Sequence, residues 1–108
     1  MHVPRKLIVG NDTFEVLIGT QPFENNNYPG KKYRGGMIWN TKQIAVWDHY
    51  GDVYLTGQTT IHEILEAIKR QKDLDLPHDV LDTLGNSIHQ VLVDNKLFFG
   101  DSPSETTH

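Results

Sequence analysis

Cysteine is absent from this 108-residue chain. Disulfides and thiolate metal sites are therefore excluded, and nothing points to an oxidising compartment. Long apolar runs are absent too. No stretch approaches the roughly twenty apolar residues that a membrane span needs. Residues 1–10 carry charge but lack the apolar core of a signal peptide, so the expected location is cytoplasmic. A basic excess is also missing: 10 Lys and Arg stand against 14 Asp and Glu, a formal net charge of −4. A phosphate-binding surface wants the opposite balance, which argues against nucleic acid as a partner. The short run Lys31-Lys32-Tyr33-Arg34 reads as a solvated loop. There is no internal repeat and no low-complexity segment. The length suits one modest core, expected over residues 1–101, with a polar tail at 102–108 that frays.

What is present changes period along the chain. Residues 6–9 make a short, mainly apolar run, Gly10-Asn11-Asp12 is a turn cluster, and residues 13–18 alternate with Phe14, Val16 and Ile18 on one face. This pattern predicts a β-hairpin. Residues 19–32 hold two prolines, two glycines and three consecutive asparagines, and read as a long loop. A second hairpin is expected from residues 34–39 and 42–47 around Asn40-Thr41. A helix follows over about 60–72, then a second one from Pro77 to about residue 94. The apolar face of the second is Leu81, Leu84, Ile88, Val91 and Leu92. Strands first and helices after predict an α+β fold, a small antiparallel sheet of two hairpins carrying a packed helical hairpin.

The chemistry concentrates in Thr59-Thr60-Ile61-His62-Glu63-Ile64-Leu65-Glu66. Ile61, Ile64, Leu65 and Ile68 recur at helical spacing, and His62 and Glu66, four apart, share one edge of that stripe. The pattern is one residue away from His-Glu-x-x-His, in which two histidines on one helical face bind zinc and the glutamate acts as a base. On the second helix, His78, Asp82, Gly85 and His89 share a stripe. Packed antiparallel, it would bring Asp82, and His78 or His89 as an extra nitrogen, toward His62 and Glu66.

The same residues also have ordinary readings. Thr60-x-x-Glu63 is a capping box, Glu66 and Arg70 are spaced for an ion pair, and Pro77-His78-Asp79 is common helix-start chemistry. His49 reads as a surface histidine, and Trp39 and Trp47 as sheet packing.

From Tyr33 to Asn95 the pattern resembles small proteins of bacteriophages and mobile elements related to the ImmA/IrrE-type metallopeptidases. The resemblance rests on the Tyr33-Arg34-Gly35-Gly36-Met37-Ile38 lead, on Lys42-Gln43-Ile44-Ala45-Val46, on the His62-Glu63 helix, and on two stretches of the second helix. These are Asp79-Val80-Leu81-Asp82-Thr83-Leu84 and His89-Gln90-Val91-Leu92-Val93-Asp94-Asn95. It implies a minimal zincin-like domain, with His62 as first metal ligand, Glu63 as catalytic base and an acidic third ligand at Asp82 or Asp79. The second ligand falls on Glu66, where the family has histidine.

Two carboxylates and one imidazole would favour harder ions than zinc and blunt an ion's power to acidify water. The altered ligand thus favours a non-catalytic module that binds a protein or peptide. The alternative is an active metal-dependent peptidase that holds an ion, zinc if the site is intact, with His62, Glu66 and Asp82 and uses Glu63 as general base. In that scheme a peptide would add as a strand beside residues 42–47.

Overall fold

Strand β1 (Lys6–Val9) turns at Gly10, where φ is +59°, into β2 (Asp12–Gly19). The pair is antiparallel, with Lys6 opposite Glu15 and Val9 opposite Asp12. The alternation of β2 holds as far as Val16: Phe14 and Val16 are buried, while Thr13 and Glu15 face solvent. Ile18, expected on the same face, is exposed at the end of the strand. These coordinates come from a computed structural model that describes residues 3–25 and 28–97. The tail expected at 102–108 lies outside the described residues.

The segment expected as a loop contains a third strand pair, β3 (Phe23–Asn25) against β4 (Tyr28–Tyr33). Pairing there sets Phe23 opposite Tyr33 and Glu24 opposite Lys32, and the latter two form an ion pair. Next come β5 (Gly35–Ile38) and β6 (Gln43–Trp47), the expected second hairpin. The main sheet runs β1-β2-β6-β5. It is not wholly antiparallel as expected, because β2 and β6 lie parallel, with Val16 beside Ile44. Parallel neighbours need a long crossover, and the chain through β3, β4 and β5 provides one. As a central strand, β6 buries Ile44, Ala45 and Val46 in succession, as strands covered on both faces do.

Helix α1 (Val53–Lys72) begins well before residue 60. Asp52 caps it, accepting from Leu55 N at 3.0 Å. Thr56 Oγ1 donates to Asp48 O and Asp52 O at 2.8 and 2.7 Å. Gly57 is buried inside the helix. Thr60 is therefore no cap: its hydroxyl donates to Thr56 O, and Glu63 is released from a capping role. Val9, Phe14, Ile44, Val46 and Ala67 form the core, flanked by Leu7, Met37, Trp39, Ile64 and Ile68. Gln71 Nε2 ties the far end of α1 to Val9 O and Asp12 Oδ2.

Helix α2 (His78–Asp94) follows Pro77 as expected, but its rotation differs. It packs against α1 rather than on the sheet. Leu81, Gly85 and His89 are the buried positions, and Leu84, Ile88 and Val91 are exposed. With α1 covering the sheet, α2 packs chiefly on α1 among the described residues and leaves part of its apolar face exposed there. The fold is α+β: small mixed and antiparallel sheets followed by two packed helices. No helix among the described residues is long and apolar enough to cross a membrane.

One glycine limits how closely β5 and α1 meet. A Cβ at Gly35 would lie 2.7 Å from Ala45 O, 2.9 Å from Thr59 Cγ2 and 3.3 Å from Glu63 Oε2. A Cβ at Gly36 would meet nothing within 4 Å. Gly35→Ala is therefore expected to destabilise the fold by about 1–3 kcal/mol through overpacking. Gly36→Ala should stay within about 0.5 kcal/mol of the parent. Urea unfolding of both variants checks this, and equal midpoints would refute the close approach.

Candidate metal centre

Helical spacing alone brings His62, Glu63 and Glu66 onto neighbouring positions of α1, and the antiparallel return of α2 sets its first turns against them. The helices meet closely at Gly85, where a Cβ would stand in ordinary contact with His62 Cα at 3.6 Å. Four donors converge between the helices. His62 Nε2 lies 3.7 Å from Glu66 Oε1, and His78 Nδ1 lies 3.9 Å from that same oxygen. Asp82 Oδ1 lies 3.0 Å from His62 Nδ1, and Asp82 Oδ2 lies 3.4 Å from His78 Nε2. The two imidazole rings meet edge to face at 5.3 Å.

His62, His78 and Asp82, though not Glu66, line a cavity of about 270 Å³. Its walls are Lys32, Tyr33, Arg34 and Gly35 on the strand side, Gln58, Thr59, His62 and Glu63 from α1, and His78, Asp82 and Asn86 from α2. Glu63 sits deepest, only 6% exposed, under Gly35. Burial, and then the nearby charges of Glu66 and Asp82, push its carboxyl from 4.5 up to about 8. The donors grow more exposed outward, to His78 at the rim with 74% of its side chain open.

The structure thus brings together His62, Glu63, Glu66 and Asp82, the residues that the sequence singles out. It separates Asp79 from them: Asp79 is exposed and lines no part of the cavity. Asp82 sits nearer because it lies one helical turn beyond His78 on the stripe facing α1. Glu66 does not pair with Arg70, whose guanidinium lies over the Trp39 ring at 5.7 Å while Glu66 faces the two histidines. Trp39 packs on Phe14, as a sheet-face aromatic should.

Two histidines differ from their sequence reading. His89 is fully buried under Tyr54, at 4.6 Å, with neither ring nitrogen hydrogen-bonded among the described residues, and burial lowers its pKa. It contributes no nitrogen to the cluster. His49 is not a surface residue. It is buried, stacked on Trp47 at 4.6 Å, and its Nε2 lies 2.9 Å from Thr59 Oγ1 on the cavity wall. Burial, and then Arg34, lower its pKa. It occupies a turn, His49–Gly51, in which His49 and Tyr50 both hold positive φ. A histidine in a polar connection gives no sequence signal of such burial.

The strand expected to accept a peptide, residues 42–47, lies between β2 and β5 and has no free edge. Among the described residues the edge strand on that side is β5, which begins at the cavity.

Comparison with family models, with curated proteins and with solved structures returned no match.

Proposed function

We propose that the cleft between α1 and α2 is a divalent-metal centre of the metallopeptidase type, and that this chain is a small metal-dependent peptide hydrolase of the bacteriophage or mobile-element kind. The observation that carries this reading is the convergence of His62, Glu66, His78 and Asp82 between the two helices, with His62, His78 and Asp82 lining one cavity together with the buried Glu63. Imidazole and carboxylate donors from two helices suit zinc or a neighbouring first-row ion. His62 and Glu66 would hold it, with a further donor from the first turns of α2. When bound, the ion would polarise a scissile carbonyl and acidify water.

The chain's own groups do the rest. Glu63 faces the cavity and stands where it can take a proton from water and return it to a leaving amine. Its raised pKa belongs to a cleft without a cation, and a divalent charge nearby favours the carboxylate that a base requires. Gly35 leaves room for Glu63 at the start of the β5 edge, where an extended peptide can add as a strand. The partner is a peptide or protein segment, and a cytoplasmic location belongs to the same reading.

A non-catalytic peptide-binding module is the second reading. Glu66 itself favours it, because a carboxylate at the second motif position weakens the site. The β5 edge remains available in either case. Elemental analysis of protein purified without tag or chelator separates the two. One equivalent of a transition metal, with hydrolysis of unstructured peptides that Glu63→Gln abolishes, is the expected result. No metal, and no binding of added zinc, would leave only the edge-binding module.

A further inference from the structure

We infer that the imidazole missing from position 66 is supplied across the helix pair by His78, and that Asp82 is not a ligand but the carboxylate that orients both histidines. This rests on the metal-centre reading and specifies its donor atoms: His62 Nε2, Glu66 Oε1 and His78 Nδ1.

The argument is one of geometry. One ligand atom from each of His62, Glu66 and His78 lies within 4.8 Å of the others. Bonds of roughly 2.1 Å to a tetrahedral ion would set ligand atoms roughly 3.4 Å apart. The two distances from Glu66 Oε1 to the ring nitrogens, 3.7 and 3.9 Å, are already close to that. His78 stands at the exposed rim, so turning its ring closes the remaining gap with little repacking.

Asp82 occupies the opposite side of both rings. Its oxygens lie 3.0 Å from His62 Nδ1 and 3.4 Å from His78 Nε2, the nitrogens that do not face Glu66. A carboxylate accepting the second N–H of a ligating histidine fixes its tautomer and leaves the other lone pair for the ion. Here one carboxylate reaches two rings. As a ligand, Asp82 would have to leave these positions, and the rings would lose their common acceptor.

Charge points the same way. His62, Glu66 and Asp82 would neutralise a dication, whereas two neutral imidazoles and Glu66 leave it one net positive charge. The second set preserves the ion's power to polarise and acidify. It is a two-histidine, one-carboxylate donor set, the type found in catalytic zinc sites, assembled from two helices.

The test is zinc titration of the full chain, by calorimetry and by ¹H–¹⁵N spectra of the histidine rings, with His78→Ala and Asp82→Asn as variants. Zinc is expected to shift Nε2 of His62 and Nδ1 of His78. His78→Ala should lower zinc affinity by more than about 100-fold, and Asp82→Asn by about 10- to 100-fold. His78 is largely exposed, so its variant should keep the parent's circular dichroism. Zinc binding that leaves the His78 ring unshifted, or that Asp82→Asn abolishes while His78→Ala does not, overturns this assignment and leaves the metal centre standing. No zinc binding by the parent overturns both.

Discussion

Glu63→Gln is expected to stabilise the metal-free protein by a few kcal/mol at pH 8 and by almost nothing near pH 4.5. The cause is the position of Glu63 beneath Gly35, almost entirely out of water and beside two other acids. Its carboxyl titrates at about 8 in the fold against 4.5 in an unstructured chain. Below pH 4.5 both states hold the proton, and Glu63 costs the fold nothing by ionising. As pH rises toward 8, the unfolded chain releases the proton and the folded one keeps it, so stability falls across that window. Glutamine has nearly the same shape and no proton to release, so its variant should lack this slope. Urea unfolding with a chelator, at several pH values from 4.5 to 8.5, reads the difference directly. Parallel curves for parent and variant would mean that Glu63 is solvated. Adding zinc should stabilise both proteins and narrow the difference between them, because a cation in the cleft also favours the ionised carboxylate that only the parent has.

The second large effect concerns Glu66. Glu66→His is expected to raise zinc affinity at least about tenfold and to raise the preference for zinc over magnesium or manganese by more. Three imidazoles would then face the cleft, from His62, His78 and the new side chain. The substitution also removes an acid that raises the Glu63 pKa, so Glu63 should ionise at lower pH. The pH profile of peptide hydrolysis should move down accordingly. Competition titrations with zinc and manganese check the first expectation, and the acid limb of the rate profile checks the second. Unchanged zinc affinity would mean that the α2 donor does not reach the cleft.

Some of this was legible in the chain. Turn residues at Gly10-Asn11 and alternation through Phe14 and Val16 suffice for the first hairpin. Apolar spacing from Ile61 to Ile68 suffices for a helix carrying His62, Glu63 and Glu66. The stripe of His78 and Asp82 on the second helix also follows from a period of 3.6. These are local relations, fixed by backbone geometry over a few residues, so sequence alone determines them. The β3–β4 pair was hidden because its turn-rich composition matches a loop, and pairing depends on the partner strand.

Tertiary structure decided the rest. The sequence predicts the helix from about residue 60, yet Asp52, Asp48 and Thr56 begin α1 at Val53 through bonds that no spacing reveals. The parallel β2–β6 pairing depends on the path of the intervening chain. The rotation of α2 depends on α1 already covering the sheet, which leaves Leu84, Ile88 and Val91 outward. That rotation turns His78 and Asp82 onto Glu66 and His62, and it leaves Asp79 in water. The sequence by itself determined that His62, Glu63 and Glu66 share one helix and His78 and Asp82 one stripe of another, because helical spacing is local. Which nitrogens and oxygens face one another was decided only by the packing of α2 on α1, because burial is a property of the whole assembly of elements.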